Sequence, residues 1–211
     1  EDLERRRSFY DSTRLAHAVD YLLAVAEDEG LPISINISLG TNGHAHDDSS
    51  PVSRWIDASL TRWGRCVCVA AGNAGQEKPE SPEDTGFIFG RIHSSGTIAA
   101  RELTAEIEWN VVGNGIADLS ENELEIWYSP ADRFSVQVKP PGGDWTEPIE
   151  PGEYIENRQL RDGAFFSIYN ELYHPANGSN YIAVYLSPFW NPTLLKGVPA
   201  GTWRVRLNGS F

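Results

Sequence analysis

Methionine is absent from the 211 residues, and cysteine occurs only twice. A chain of this length usually contains several methionines, including an initiator, so we expect it to be an excised piece of a longer protein. Two cysteines are too few for a disulfide framework. Cys66 and Cys68 lie two apart on a predicted strand, which favours buried structural thiols over a metal site.

Basic residues are also scarce, with 17 Lys and Arg against 30 Asp and Glu, a formal net charge of −13. Nucleic-acid binding needs a stripe of Lys and Arg, so this balance argues against a nucleic-acid partner. Apolar runs stay shorter than the roughly 18 residues of a membrane span, so no membrane partner is expected. The acidic excess fits solubility.

Residues 11–29 are predicted to form a helix, because apolar side chains recur there at helical spacing. Gly30 ends this helix, since glycine is the usual residue after a helix terminus, and Pro32 prevents its continuation. A short strand follows, on which three β-branched residues alternate: Ile33, Ile35 and Ile37.

A second helix is predicted to begin at Ser50 and Pro51, because serine caps helices and proline fits their first turn. Its apolar face is expected to contain Val52, Ile56, Leu60 and Trp63. Residues 66–69 are nearly all apolar, which is typical of a parallel strand covered on both faces. The order of the predicted elements, helix, strand, helix and strand, indicates half of a doubly wound parallel α/β sheet within residues 1–75.

The pattern changes after a Pro- and Glu-rich linker at residues 76–85. In residues 86–211 apolar residues alternate with polar ones, which indicates antiparallel strands. The alternating sets are Ala105, Ile107, Trp109 and Val111; Leu124, Ile126 and Tyr128; Phe134, Val136 and Val138; Ile182, Val184 and Leu186; Trp203, Val205 and Leu207. Turn signals separate them, so the pattern predicts an antiparallel, jelly-roll-like β-sandwich.

Two strand ends contain the most specific motifs, Ile-Ser-Ile-Asn-Ile-Ser-Leu-Gly at 33–40 and Val-Cys-Val-Ala-Ala-Gly-Asn-Ala-Gly at 67–75. Together they resemble the middle of a subtilisin-like serine protease. The resemblance implies that Ser38, Leu39 and Gly40 line the substrate cleft with Ala71 and Gly72. It also implies that Asn73 donates its side-chain amide to the oxyanion of the transition state.

The second half resembles the jelly-roll insert that some bacterial subtilases, among them the clostridial germination proteases, contain between the oxyanion asparagine and the catalytic serine. The matching strands and turns are 125–128, 134–138, 141–143 and 201–205. The loop at 40–51 also resembles the one that follows Ser-Leu-Gly in such proteins.

The motifs of the catalytic Asp, His and Ser are missing from these residues. Asp84-Thr85-Gly86 imitates the Asp motif, but no strand precedes it and it follows Asn73. The resemblance therefore implies a parent serine endopeptidase acting on a peptide or protein substrate, without cofactor or metal. We expect the isolated chain to be inactive.

A cluster of His44, His46, Asp47 and Asp48 could be metal ligands or a base–carboxylate pair, but a solvated loop is favoured.

The alternative function is a non-enzymatic sandwich on a pseudoprotease scaffold, which binds carbohydrate or a protein partner. Aromatic residues that could stack on a sugar are Trp127, Trp145, Trp190, Tyr169, Tyr173 and Tyr181, although core packing explains such residues more often. The half-sheet would expose an apolar edge, which predicts a homodimer through that edge.

Overall fold

The computed structural model describes residues 12–72, 93–100, 103–113, 115–161, 163–191 and 193–209. Its contacts divide the chain into two units, Glu1–Asn73 and Ala74–Phe211. In the described part, no helix combines the length and the hydropathy needed to cross a membrane. The predicted linker at 76–85 lies outside the described residues.

The first unit contains the predicted order of elements: α1 (Ser12–Glu29), β1 (Ile33–Ile37), α2 (Pro51–Ser59) and β2 (Arg65–Val69). Gly30 follows α1 with φ of 66°, a conformation that glycine adopts without strain. Ser50 caps α2, its hydroxyl accepting from the Ser53 backbone N–H at 3.1 Å. The start and stop signals in the sequence are thus confirmed at these two positions.

Strands β1 and β2 pair in parallel, in a register that runs from Ile33 opposite Arg65 to Ile37 opposite Val69. Their apolar face packs against both helices in one cluster. The buried members are Val19, Leu23, Ile35 and Ile37, and Leu15, Ile33, Ile56 and Val67 are partly buried. The described residues therefore place both helices on one face of the pair, and a doubly wound sheet, with helices on both faces, stays a prediction.

The opposite face of this strand pair corrects two predictions. Cys66 and Cys68 are exposed rather than buried, with their sulfur atoms 3.9 Å apart. Since both cysteines lie on the face opposite Val67, their exposure shows that β2 is not covered on both faces. The prediction failed because an apolar strand is covered twice only where elements lie on both sides of its sheet, and within the described residues β1 and β2 form a two-stranded sheet.

The end of α2 gives a third correction. The helix stops at Ser59, and Trp63, which was predicted on its apolar face, is fully exposed at 102%. Helical spacing applies only while the helix continues, so Trp63 leaves the buried face once the chain turns. The predicted homodimer through the sheet edge stays a prediction.

The second unit is made of antiparallel strands. Its strands are β3 (Thr104–Val111), β4 (Ala117–Asp118), β5 (Asn122–Tyr128), β6 (Phe134–Lys139), β7 (Tyr154–Gln159), β8 (Phe165–Glu171), β9 (Asn180–Ser187), β10 (Phe189–Asn191), β11 (Leu194–Lys196), β12 (Val198–Pro199) and β13 (Gly201–Gly209). A three-stranded sheet has the order β3-β13-β6 and a four-stranded sheet the order β5-β9-β8-β7. Two-stranded pairs join β10 with β11 and β12 with β4.

One hydrophobic core joins the two larger sheets, with Trp203 and Val205 from β13 and Ile168, Ile182 and Val184 from β8 and β9, all 0% exposed. These residues belong to the alternating sets, except Ile168, which the pattern did not single out. The fold is mostly antiparallel β-sheet and is consistent with a β-sandwich, which confirms the prediction in this coarser form. Its jelly-roll topology stays a prediction.

Asn170 is a polar residue inside this core, 1% exposed. Its amide donates to the carbonyls of Phe134 at 2.8 Å and Ile149 at 3.0 Å, and its oxygen accepts from the Tyr128 hydroxyl at 3.3 Å. Because a buried amide is costly unless it is hydrogen-bonded, these contacts fix β8 against both neighbouring segments. Asn170 is therefore a polar anchor that joins β8 of the four-stranded sheet to β6 of the three-stranded sheet.

Candidate functional site

The predicted cleft residues follow the carboxyl ends of β1 and β2. These strands are parallel, Ile37 lies opposite Val69, and the Ala70 N–H donates to the Ile37 carbonyl at 3.0 Å. The segments that follow β1 and β2 therefore leave the sheet at the same end, beside each other. In parallel α/β sheets, ligands bind outside the carboxyl ends of the strands.

On the first strand end, Ser38, Leu39 and Gly40 are all exposed, Leu39 at 57%. The Asn36 side-chain amide donates to the Ser38 hydroxyl at 2.7 Å. A Cβ atom built on Gly40 meets no atom within 4 Å, so the backbone there faces open space. An extended peptide could approach this segment without displacing it.

On the second strand end, Ala71 and Gly72 are exposed, and Gly72 has φ of 87°. This conformation strains any residue with a Cβ, so glycine is needed where the chain turns away from β2. A Cβ on Gly72 would also meet no atom within 4 Å. Asn73, the predicted oxyanion donor, is the next residue and lies outside the described residues.

The histidine- and aspartate-rich loop between β1 and α2 is exposed. His44, His46 and Asp48 have positive φ values of 73°, 54° and 60°. The His46 ring lies 3.1 Å from the Asn42 carbonyl, and the Asp47 carboxylate accepts from the Ser49 N–H at 3.0 Å. Among the described residues, no group of three or more His, Cys, Asp or Glu side chains could hold a metal ion. Asp84-Thr85-Gly86 lies outside the described residues.

Comparison with solved structures finds a protein whose fold is similar to that of this chain. The fold resembles part of the Clostridium perfringens CspB protease, with a TM-score of 0.67 over 95% of this chain and 21% sequence identity. The chain spans 38% of that protein. No protein-family model matches the chain. No curated protein matches it either.

A second surface lies in the β unit, on the outward face of the four-stranded sheet. The sheet register places Tyr181 opposite Trp127, Ala183 opposite both Glu125 and Tyr169, and Tyr185 opposite Glu123 and Ser167. All these side chains share one face, because side chains alternate along a strand and this face is opposite the core. Part of this face forms an open groove of about 450 Å³, lined by Glu121, Ser167, Tyr169, Glu171, Tyr181, Ala183, Tyr185 and Ser187.

Aromatic contacts and hydrogen bonds order this face. The Tyr169 ring is 6.0 Å from those of Tyr154 and Tyr185, centroid to centroid. The Tyr181 and Tyr185 hydroxyls are 3.3 Å apart, and the Tyr169 hydroxyl donates to Glu156 at 2.6 Å. Sequence reasoning named Tyr169 and Tyr181 but missed Tyr185, since only the strand register shows that these three rings are neighbours.

The environment of this face also shifts the acid–base behaviour of its phenols. Burial raises the pKa of Tyr185 to about 12; the hydrogen bond with Tyr181 acts against that shift, and the Glu123 carboxylate adds to it. Burial, followed by the hydrogen bond with Tyr185, raises the pKa of Tyr181 as well. The tyrosines therefore stay neutral beside the negatively charged glutamates.

This shift predicts a pH dependence of stability. An unfolded tyrosine has a pKa of about 10, so folding favours the neutral Tyr185, and this contribution is complete below that pH. It is lost as the pH rises through the folded pKa of about 12. We expect the stability of the wild type to fall relative to that of Tyr185→Phe over this range. Urea unfolding of both proteins measures it, and a constant difference would show that Tyr185 has an ordinary pKa.

Proposed function

We propose that this chain is part of a subtilisin-like serine endopeptidase, comprising the oxyanion-bearing α/β segment and an inserted β-sandwich. One observation carries the proposal: two parallel strands end side by side in Ser38-Leu39-Gly40 and Ala71-Gly72, directly before Asn73. The fold shared with part of a clostridial protease supports the same assignment. The rest of the doubly wound sheet would then belong to the parent protein.

In the proposed site, the first strand end binds the substrate. The exposed backbone of Ser38 to Gly40 would pair with an extended peptide by β-type hydrogen bonds, because its polar groups face open space. Gly40 and Gly72 would leave room for a substrate side chain in a pocket between the strand ends, since a Cβ atom built on either meets no atom within 4 Å. Ala71 would form part of the pocket wall.

The second strand end contributes to the chemistry. When a serine attacks a peptide carbonyl, negative charge develops on the carbonyl oxygen, and an amide donor aimed at that oxygen stabilises the transition state. Asn73, which follows Gly72 in the sequence, would supply this donor. The nucleophile, the histidine that transfers its proton and the orienting aspartate would come from outside these residues.

The division of the site predicts that the isolated chain does not hydrolyse peptides. We expect no turnover of a chromogenic peptide by purified chain 1–211, because an oxyanion donor without a nucleophile forms no acyl-enzyme. We expect the parent protein to hydrolyse the same peptide. A fluorophosphonate, which labels activated serines, should modify the parent at a serine outside 1–211 and leave the isolated chain unlabelled.

The natural gene product provides the complementary test. We expect its sequence to contain an Asp motif and His-Gly-Thr-His before residue 1 and Gly-Thr-Ser after residue 211. Turnover by the pure isolated chain, or a parent without these motifs, would contradict the proposed function.

A further inference from the structure

The groove on the outward face of the four-stranded sheet is acidic as well as aromatic. Of its eight lining residues, two are glutamates, three are tyrosines and none is Lys or Arg. The remaining three, Ser167, Ala183 and Ser187, are small and leave space between the tyrosine rings. The surface therefore combines flat π faces with negative charge.

The carboxylates lie towards opposite ends of the groove. Glu171 pairs across the strands with Tyr181, at one end of β9. Glu121 directly precedes Asn122, which lies opposite Leu186 at the other end. Tyr181 and Ser187 lie six positions apart along β9, a distance of about 20 Å along an extended strand. A ligand that reaches both carboxylates must be extended over roughly this length.

The same unit already contains an example of the chemistry that such a surface favours. The Arg206 guanidinium lies 4.0 Å from the centre of the Trp145 ring, and its nitrogens donate to the Glu106 carboxylate at 2.6 and 2.9 Å. Arginine is suited to both contacts at once, because its planar cation stacks on a ring while its N–H groups bind a carboxylate. The groove offers tyrosine rings and carboxylates, but its lining provides no arginine of its own.

The phenols add hydrogen-bonding groups to this surface. A tyrosine with a pKa of 10 or more is neutral at physiological pH, so the hydroxyls of Tyr181 and Tyr185 can both donate and accept hydrogen bonds. Glu156 accepts the Tyr169 hydroxyl, which fixes one ring at the groove's side. The carboxylates give the surface a net negative charge. A neutral sugar has no cation that could form an ion pair with them.

We propose that this groove binds an extended, arginine-bearing segment of a protein partner. The guanidinium groups stack on Tyr169 and Tyr185 and pair with Glu121 and Glu171 at the two ends. Because the groove lies wholly within the β unit, the interaction does not depend on the peptidase assignment.

The test uses chain 1–211 and a synthetic extended peptide with two arginines six positions apart, a spacing of about 20 Å that places both side chains on one face of the extended chain. Its matched control is the same peptide with both arginines replaced by citrulline, which keeps the shape and removes the charge. Isothermal titration calorimetry at low and high salt measures both affinities. We expect the arginine peptide to bind about tenfold more tightly than the citrulline peptide at low salt, and its advantage to shrink at high salt.

Variants locate the interaction. We expect Glu121→Gln combined with Glu171→Gln to weaken arginine-peptide binding about tenfold, since each exposed ion pair contributes up to about 1 kcal/mol. Tyr169→Leu should weaken it about fivefold through the lost stacking. Glu147→Gln, at an exposed glutamate outside the groove lining, is the control and should leave the affinity unchanged.

The proposal is overturned if the citrulline peptide binds as well as the arginine peptide, or if the double glutamate variant keeps the wild-type affinity. It is also overturned if spermidine competes as strongly as the peptide, or if cello- or chito-oligosaccharides bind the groove and the arginine peptide does not. Circular dichroism of each variant shows that a lost affinity is not a lost fold.

Discussion

Replacing Asn73 by Ala in the proposed parent endopeptidase is expected to lower kcat by about 10²–10³, the loss known for the oxyanion asparagine of subtilisin itself. The proposed amide donates to an oxygen that becomes negatively charged only in the transition state. Its removal should therefore lower kcat and kcat/KM together and leave KM nearly unchanged. Steady-state kinetics with a chromogenic peptide measures all three parameters.

A matched control is the same substitution at Asn122, which begins β5 in the β unit and bonds through its side chain to the Ser120 carbonyl at 3.2 Å. Asn122→Ala should keep wild-type kinetics. A kcat loss below about tenfold at Asn73, or a rise in KM alone, would contradict the oxyanion role. Fluorophosphonate labelling should persist in Asn73→Ala, which would show that nucleophile and base remain assembled.

Trp203→Ala is expected to cost about 3–5 kcal/mol of unfolding free energy, the usual range for removing a buried tryptophan. Trp203 is 0% exposed and lies near the start of β13, opposite Trp109 of β3. Its indole N–H donates to the Pro199 carbonyl at 3.0 Å, so truncation opens a cavity and leaves that carbonyl without its donor. Because small domains have only about 5–15 kcal/mol of stability, the urea midpoint of the β unit should fall markedly.

Two further variants distinguish the stability lost through the cavity from the stability lost through the hydrogen bond. They also show what removal of an exposed tryptophan ring costs. Trp203→Phe retains most of the volume and loses the donor, so we expect a smaller cost of about 1–3 kcal/mol. Trp63→Ala makes the same truncation as Trp203→Ala at a fully exposed residue and should change stability by less than about 0.5 kcal/mol. Equal losses at Trp63 and Trp203 would contradict the packing argument.

Local sequence signals predicted the elements of the first unit well. Helix α1, strand β1 and the Ser50 cap depend on periodicity and on residues within a few positions of each other. The end of α2 was missed, because Leu60 and Trp63 continue the apolar spacing beyond Ser59, where the helix stops. The exposure of Cys66 and Cys68 was missed for another reason, since burial depends on what lies across the sheet.

In the β unit too, local patterns predicted some strands, and other features depended on contacts between residues distant in the sequence. Five strands were visible as alternating sets, but β8 was not, because Phe165 and Tyr169 put aromatic rings on its outward face and Asn170 puts an amide in the core. The pattern of hydrophobic and polar residues is inverted at these positions. The hydrogen bonds of Asn170 to Phe134 and Ile149 join residues 36 and 21 positions apart, which no local pattern contains.

The sequence by itself determined both helix starts, strands β1 and β2, five strands of the β unit, the change from helical to twofold periodicity, and the motifs at the ends of β1 and β2. These follow from short-range sterics, capping and side-chain alternation. Only the tertiary structure decided that β1 and β2 end beside each other and that one face of this strand pair is exposed. It also decided that Tyr169, Tyr181 and Tyr185 share a groove with Glu121 and Glu171. The physical reason is that strand pairing and register join residues distant along the chain, and these long-range hydrogen bonds and contacts determine which side chains become neighbours.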